Sequence, residues 1–156
     1  MLKQLSIYAE NKKGALQTIT NALYEAGINI WGSVTNDGAE YGINRMVVSD
    51  PEKAKEVLTE KGYLCRFVDV LAVEIEDKPG ALNTLLTALL DSNVNVDYTY
   101  LSFNRDSSTP VMILHSDKKV HSLLSSASIC IGRRLLLYSF MKKSLCSLAA
   151  LSLRRG

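Results

Sequence analysis

The stretch Glu10–Ile30, ENKKGALQTITNALYEAGINI, decides the fold, because it returns 66 positions later as Glu76–Val96, EDKPGALNTLLTALLDSNVNV. Nine of the 21 aligned residues are identical. They mark a loop that enters a helix, the apolar stripe of that helix and the entry to the next strand. An internal repeat of this kind indicates that one small structural unit occurs twice in the chain. The residues of the first copy that recur are Glu10, Lys12, Gly14, Ala15, Leu16, Thr18, Ala22, Leu23 and Asn29.

The first copy predicts the order β-α-β-β-α-β. Alternation predicts a half-buried first strand, with Leu5, Ile7 and Ala9 on its core face. Helical spacing of apolar residues, Leu16 among them, predicts an amphipathic helix that Gly27 ends. The predicted elements are a strand at Leu2–Ala9, a helix at Gly14–Ala26, a strand through Ile28, Ile30 and Val34, a turn at Asn36-Asp37-Gly38, a strand at Tyr41–Val48, a helix from Asp50-Pro51-Glu52 to Gly62 and a strand at Tyr63–Phe67.

The second copy follows the same order as far as Asp117. Leu82, Leu85, Leu86 and Leu89 form the apolar stripe of its helix. Where the first copy continues with PEKAKEVLTEKGY, the second continues with KKVHSLLSSASIC, which lacks the acids and the terminating glycine. Its predicted elements are a strand at Asp69–Glu76, a helix at Gly80–Leu90, a strand at Val94–Phe103, a polar hairpin at Asn104–Thr109 and a strand at Val111–His115.

We therefore predict an α+β fold of two tandem ferredoxin-like βαββαβ modules, with antiparallel sheets and helices on one face. The predicted domains are residues 1–67, a second module at 68–119 that is incomplete or aberrant after about residue 117, and a basic Ser/Leu-rich segment at 120–156. Modules this small bury a modest fraction of their surface. We expect them to share an interface with each other, with a second chain, or with both.

Charge divides the chain at the same point. Through Asp117, ten Lys and Arg stand against sixteen Asp and Glu, a net charge of −6, whereas the last 39 residues hold eight Lys and Arg and no acid, a net charge of +8. One interpretation of this tail is a basic amphipathic segment for an anionic membrane surface. The other is an out-of-frame stretch of coding sequence, because the composition changes abruptly where a helix and a final strand are due.

Composition also bears on compartment. Met1–Gln4 leads directly into the first strand, so the sequence predicts no signal peptide, and no apolar run reaches the roughly 20 residues of a membrane span. The three cysteines, Cys65, Cys130 and Cys146, lack CxxC spacing, which argues against a disulfide framework and a zinc site. We expect a cytoplasmic protein without a metal or cofactor.

Several functions of ferredoxin-like modules fit this sequence poorly. RNA recognition needs neighbouring aromatics and a basic face, but Tyr8 and Tyr41 stand singly in an acidic module, so no nucleic acid is expected. The first loop has no CxxC for a metal, and no arginine precedes Arg45 to bind an acyl phosphate. His115 and His121 have no nucleophile or carboxylate partner by spacing. We therefore expect no catalytic residues.

The repeated loop is the remaining candidate site. It opens a helix at Gly14 and again at Gly80, where unpaired N–H groups and the helix dipole suit a carboxylate and glycine lets a ligand approach the backbone. A purely conformational interpretation, in which Asn11 or Asp77 closes an Asx turn, also accounts for the loop. Asn29 and Asn95, on the face opposite Ile28 and Val94, add amides that both donate and accept, as an amino acid requires.

These motifs resemble the ACT domain, a regulatory module that binds amino acids. The resemblance rests on Asn-Lys-Lys-Gly-Ala-Leu with Ala-Gly-Ile-Asn-Ile and on Asp-Lys-Pro-Gly-Ala-Leu with Asn-Val-Asn-Val, and it covers about residues 1–117. The tandem arrangement is similar to paired ACT proteins related to the acetolactate synthase regulatory subunit. Lys13 departs from the proline usual in this loop. That departure implies a looser loop or one degenerate site.

In that family, ligands sit between the first loop of one module and the second strand of the other. The resemblance implies one site at Asn11–Leu16 with Asn95 and another at Asp77–Leu82 with Asn29. It implies a non-catalytic amino-acid sensor and a homodimer; the alternative is a regulatory subunit of a biosynthetic enzyme such as acetolactate synthase. The implied ligand-binding residues are Asn11, Lys12, Lys13, Gly14, Ala15, Leu16, Asn29, Ile30, Asp77, Lys78, Pro79, Gly80, Ala81, Leu82, Asn95 and Val96.

Overall fold

The computed structural model describes residues 2–36, 38, 40–102 and 109–116. The predicted helix, strand and tail after Asp117, and most of the hairpin Asn104–Thr109, lie outside the described residues. Within them the fold predicted from the sequence is confirmed, in the order β1 Leu2–Glu10, α1 Ala15–Glu25, β2 Ile30–Asn36, β3 Tyr41–Val48, α2 Pro51–Glu60, β4 Leu64–Glu74, α3 Ala81–Asp91, β5 Val96–Ser102 and β6 Val111–Ser116.

The described strands form one antiparallel sheet in the order β2-β3-β1-β4-β6-β5. The first four have the ferredoxin-like arrangement, with β1 between β3 and β4 and with β2 on the edge. In the second copy, β6 lies between β4 and the other edge strand, β5. None of the described helices is long and apolar enough to cross a membrane.

Strand β4 corrects one prediction. The sequence predicts separate strands at Tyr63–Phe67 and Asp69–Glu76, but the structure has one continuous strand. Residues 64–70 pair with β1, and residues 71–74 pair with β6. The backbone continues because successive halves of the strand find partners in successive modules. The domain boundary after residue 67, which remains a prediction, falls inside this strand.

The helix ends follow from their local sequences. Asp50 caps α2 by accepting a hydrogen bond from the Lys53 amide at 3.0 Å, and Pro51 occupies the first turn. Gly27 follows α1 with φ of +70°, where a side chain is disfavoured. Asn93 holds the equivalent place after α3 with φ of +52°, since asparagine tolerates this region better than most residues.

Each module has a core between its helices and its sheet. Leu5, Ile7, Ile19, Leu23 and Leu58 fill the first, and Leu71, Val73, Leu85 and Leu89 belong to the second. The prediction that Leu16, Leu82 and Leu86 join these buried stripes is wrong, because they are 44%, 38% and 38% exposed. Leu16 and Leu82 lie in the first helical turn beside the glycines, and burial starts one turn further on.

A third cluster packs the two modules together on the sheet faces that carry no helices. It contains Val47, Val70, Tyr100, Val111 and Ile113. The alternation of apolar and polar residues in β1 predicts one buried and one exposed face. The structure buries both faces of β1 over residues 4–7.

The polar face of β1 is buried in this interface as well. Gln4 is 0% and Ser6 4% exposed. Gln4 donates to the Tyr98 hydroxyl at 2.8 Å and accepts from the Tyr100 hydroxyl at 2.9 Å. These partners satisfy a buried amide that would otherwise oppose burial.

Candidate functional site

The two glycine corners have the same backbone. Gly14 and Gly80 precede their helices with φ of +86° and +88°, in the left-handed region that disfavours side chains. A Cβ built on either glycine meets no atom within 4 Å. The conformation explains why glycine occurs there, and the space beside both corners is open. No side chain caps the helix N-terminus at either corner. A helix N-terminus without such a cap suits an anion.

The loops before the glycines are held in matching ways. The Lys12 amide donates to the Glu10 carbonyl and the Lys78 amide to the Glu76 carbonyl, each at 3.0 Å. Lys12 and Lys78 form ion pairs with the same two glutamates. The hydrogen bond and charge of Lys12 hold the pKa of Glu10 below its ordinary value. These lysines are thus engaged with their own loops.

Asn11 ties the first loop to the β2–β3 hairpin. Its side-chain amide donates to the Gly38 carbonyl at 3.1 Å, and its backbone amide donates to the Glu40 carbonyl at 2.9 Å. The first corner is therefore fixed against the far end of β2.

Asn29 and Asn95 point away from the cores, as the sequence predicts. Ile28 and Val94 are each 7% exposed, whereas the two asparagines that follow them are exposed. The Asn29 backbone exchanges hydrogen bonds with Ser49, and the Asn95 side-chain amide donates to the Asp97 carboxylate at 3.2 Å. Both amides lie at strand entries, where a ligand can reach them.

A β-bulge follows each asparagine, and sequence reasoning missed both. The register of β2 on β3 shifts between Ile30 and Gly32, and that of β5 on β6 shifts between Val96 and Tyr98. Trp31 and Asp97 are the extra residues. Bulges are frequent at sheet edges and beside functional sites, where they redirect side chains. The only signal in the sequence is the matched position of these residues in the repeat.

Within one module, the glycine corner and the asparagine lie at opposite ends of the sheet. Glu10, which precedes the first corner, pairs with Tyr41 at one end of β3. Ile30, which follows Asn29, pairs with Val48 at the other end. A site that uses both features therefore needs both modules.

The interface brings Asn95 to the end of the molecule that carries the first corner. Asp97, the partner of Asn95, lies 2.8 Å from His115, which stacks on Tyr98. Arg45 lies over the Tyr98 ring, 4.4 Å from its centroid, and bonds Asn36 at the start of the hairpin that holds Asn11. Asn36 lies two positions before Gly38, to which Asn11 donates. We call this group of residues the Asn95 end; it comprises Asn95, Asp97, His115, Tyr98, Arg45, Asn36 and Asn11.

The second corner and Asn29 share the other end. The Ser102 hydroxyl donates to the Trp31 carbonyl at 2.9 Å. Ser102 pairs with Val111, and Val111 pairs with Glu74 at the base of the second loop. We call this the Asn29 end; it comprises Asn29, Trp31, Ser102, Val111, Glu74 and the loop to Leu82. At both ends, contacts between the strands join the segment that carries the asparagine to the segment that leads to the corner.

The other candidate residues divide between surface and core. Lys13, Asp77 and Pro79 are exposed, and Ala15 and Ala81 are half-buried beside the corners. Ile30 and Val96 are half-buried and pack against the helix-side cores. Their side chains therefore face the module cores.

The prediction from spacing that His115 has no carboxylate partner is wrong, because Asp97 lies 2.8 Å from its ring across the β5–β6 pair. The described residues include no group of three or more His, Cys, Asp and Glu able to hold a metal ion. Cys65 is buried, and this burial raises the pKa of its thiol, which disfavours the reactive thiolate. His121 lies outside the described residues. The arrangement is thus suited to binding by hydrogen bonds and charge.

Two α+β repeats that share a buried interface and present paired glycine corners define the class. The chain belongs to the ACT domain pair family, whose model matches residues 1–125. The resemblance seen in the sequence is thereby confirmed. Among curated proteins, none matches the chain.

Solved structures with the same fold include a relative at moderate identity. Protein BT0572 from Bacteroides thetaiotaomicron is 30% identical, with a TM-score of 0.71 over 79% of this chain and 84% of that one. The regulatory subunit of aspartate kinase from Thermus thermophilus, in its ligand-free form, is 15% identical, with a TM-score of 0.62 over 79% and 88%. That from Thermus flavus is 17% identical, with a TM-score of 0.53 over 72% and 80%.

Proposed function

We propose that this protein is a non-catalytic regulatory protein that binds free amino acids at the seam between its two ACT modules. One ligand lies at the Asn95 end, between Asn11–Leu16 and Asn95. A second lies at the Asn29 end, between Asp77–Leu82 and Asn29. An open glycine corner in each module, an exposed asparagine in each module and the contacts that join the two modules support the proposal.

The chemistry of each end suits a zwitterion. The uncapped helix N-terminus receives the α-carboxylate, which contributes about 0.3–2 kcal/mol. The asparagine side-chain oxygen accepts from the α-ammonium. Micromolar affinity corresponds to about −8 kcal/mol, which a ligand of roughly ten heavy atoms can reach. Most of this free energy must come from hydrogen bonds and from apolar contact with the ligand side chain.

Calorimetric titration of the full chain with each of the twenty amino acids tests the proposal. We expect at least one to bind, and Asn95→Ala or Asn29→Ala to weaken binding by about tenfold for each lost hydrogen bond of about 1.4 kcal/mol. Asn21→Ala is the matched control, because Asn21 is exposed on α1 and bonds only Glu25 in the described structure. The proposal fails if no amino acid binds to the folded chain.

A regulatory subunit that docks on an amino-acid biosynthetic enzyme, such as acetolactate synthase, is the second candidate. Leu82, Leu86 and Leu90 follow one another at four-residue spacing along α3 and are 38%, 38% and 74% exposed. An apolar stripe of this kind favours a protein partner. Purification of the tagged chain from its own cells, followed by assay of acetolactate synthase with and without it, tests this candidate. Recovery of no enzyme and an unchanged rate would exclude it.

We also propose a homodimer in the cytoplasm. The exposed α3 leucines offer an apolar surface for a second copy. Light scattering during gel filtration measures the mass directly. A single peak at the monomer mass of 17.2 kDa over a wide concentration range would refute the dimer.

A further inference from the structure

We infer that the two ends take different ligands: an acidic amino acid at the Asn95 end and an apolar amino acid at the Asn29 end. This inference rests on the proposed function, which it makes more specific. It starts from residues that occupy equivalent positions in the two repeats but differ in chemistry.

The sheet register defines these equivalences. Gly32 pairs with Val47 just after the first bulge, and Tyr98 pairs with His115 just after the second. Gly32 therefore corresponds to Tyr98 and Val47 to His115. The bulge residues Trp31 and Asp97 correspond in the same way, and two positions earlier on the paired strands Arg45 corresponds to Ile113.

At the Asn29 end, the residues that correspond to Asp97, His115 and Arg45 are apolar: Trp31, Val47 and Ile113. Val47 and Ile113 are each 1% exposed in the cluster between the modules, and Trp31 packs against that cluster. Of these three residues, the half-buried Trp31 has exposed apolar surface that a ligand side chain can contact. The loop there carries the exposed acid Asp77, which would repel a second carboxylate on the ligand.

At the Asn95 end, polar and charged residues occupy the same positions. The Arg45 guanidinium lies over the Tyr98 ring, and its hydrogen bond in the described structure goes to Asn36, which is neutral. A guanidinium has five donors, and a carboxylate that accepts two of them is its preferred partner. Arg45 is half-buried, so water screens its charge less than on an open surface.

The remaining charges at this end agree with an anionic ligand group. Asp97 is the acid in the group of residues that defines this end, and its two oxygens lie beside the Asn95 amide and the His115 ring. The first loop has exposed Lys13 where the second loop has Pro79. With the corner loops included and histidine left out of the count, the Asn95 end has a formal charge of +1 and the Asn29 end a formal charge of −2. The charged residues are Glu10, Lys12, Lys13, Arg45 and Asp97 at the first, and Glu74, Glu76, Asp77 and Lys78 at the second.

Calorimetry on the full chain with glutamate and leucine as probes tests the inference. We expect each to bind, and saturation with one to leave the affinity for the other unchanged within about twofold. Arg45→Met should weaken glutamate binding about tenfold or more, as the loss of a charge-assisted hydrogen bond predicts, and leave leucine binding unchanged. Arg45→Lys should recover part of the glutamate affinity.

Lys61→Met is the matched control, since it removes one positive charge at the end of α2 and should affect neither ligand. Rising salt should weaken glutamate binding more than leucine binding to the unmodified chain, which tests the inference even if an Arg45 variant fails to fold. The inference would be overturned, while the proposed function stands, if glutamate and leucine compete for one site. It would also be overturned if neither Arg45→Met nor added salt changes the affinity for glutamate. Absence of binding by every amino acid would refute the proposed function itself and this inference with it.

Discussion

Replacement of Tyr100 by Phe tests whether the two modules form one cooperative unit. The Tyr100 side chain is 8% exposed, and its hydroxyl donates to the Gln4 side-chain oxygen at 2.9 Å across the interface. Gln4 is fully buried, so its oxygen has no access to water when the hydroxyl is removed. The substitution thus leaves a buried acceptor without its donor and changes little else in shape.

The expected cost follows from that geometry. An unsatisfied buried polar group costs about 1–3 kcal/mol, and in a chain of this size each kcal/mol lowers Tm by about 2–4 °C. Urea unfolding followed by circular dichroism measures the free energy directly. Tyr24→Phe is the matched control, because Tyr24 is 80% exposed and should change the free energy of unfolding by less than about 0.5 kcal/mol.

A double-mutant cycle separates the hydrogen bond from general loss of packing. Gln4→Met keeps the length of the side chain and removes the acceptor, so Tyr100→Phe should cost much less in that background. We expect a coupling free energy of about 0.5–3 kcal/mol. If Tyr100→Phe costs no more than Tyr24→Phe, or if the two substitutions are additive, the buried hydrogen bond does not hold the modules together and the reasoning is refuted.

Burial raises the pKa of Tyr100, so the hydroxyl should lose its proton at a lower pH in the unfolded chain than in the folded one. The free energy of unfolding of the unmodified protein should therefore fall as pH rises above about 10. Urea titrations at several pH values should show that Tyr100→Phe removes this part of the pH dependence. Gly32→Ala would place a Cβ 2.9 Å from the Ser102 side chain and should lower the free energy of unfolding by about 1–3 kcal/mol. Adding Ser102→Gly should recover part of this loss. An unchanged free energy of unfolding in Gly32→Ala would contradict the close packing of these two strands. Gly14 and Gly27 both have positive φ, so replacing either with Ala should lower the free energy of unfolding by about 1–2 kcal/mol. Only Gly14→Ala should also weaken amino-acid binding in calorimetry. Equal effects of the two substitutions on binding would argue against the glycine corner as a binding site.

Local signals in the sequence accounted for most of the fold. The glycines at 14, 27, 62 and 80 all have positive φ, and the Asp50-Pro51 start of α2 has the predicted cap. These features were predictable because each depends on a few neighbouring residues. The left-handed backbone conformation of Asn93 was less evident from the sequence, since asparagine occurs in many other conformations.

Features that depend on distant partners could not be predicted. Gln4 and Ser6 alternate with apolar residues as on an exposed strand face, yet both are buried. Their cover comes from residues more than 90 positions away in the chain, such as Tyr98. Strand β4 is continuous for the same reason, because its second half pairs with β6.

The candidate site was predictable only in part. The repeat marked the corners and the asparagines, and the resemblance to the ACT domain suggested the proposal that both modules contribute to each site. The bulges at Trp31 and Asp97 and the contacts of Arg45 could not be found from the sequence, because register shifts leave no periodic signal. These are the residues in which the two ends differ most.

The central claim is that amino acids bind where a glycine corner meets an asparagine from the other module. The most direct test is to titrate the ¹⁵N-labelled full chain with the amino acid that binds in calorimetry and to follow its NMR amide signals. We predict that the backbone amides of Gly14–Leu16 or Gly80–Leu82 shift together with the side-chain amide of the asparagine at the same end, with one common dissociation constant. Saturable binding that shifts signals elsewhere and leaves both corners unchanged would contradict the account.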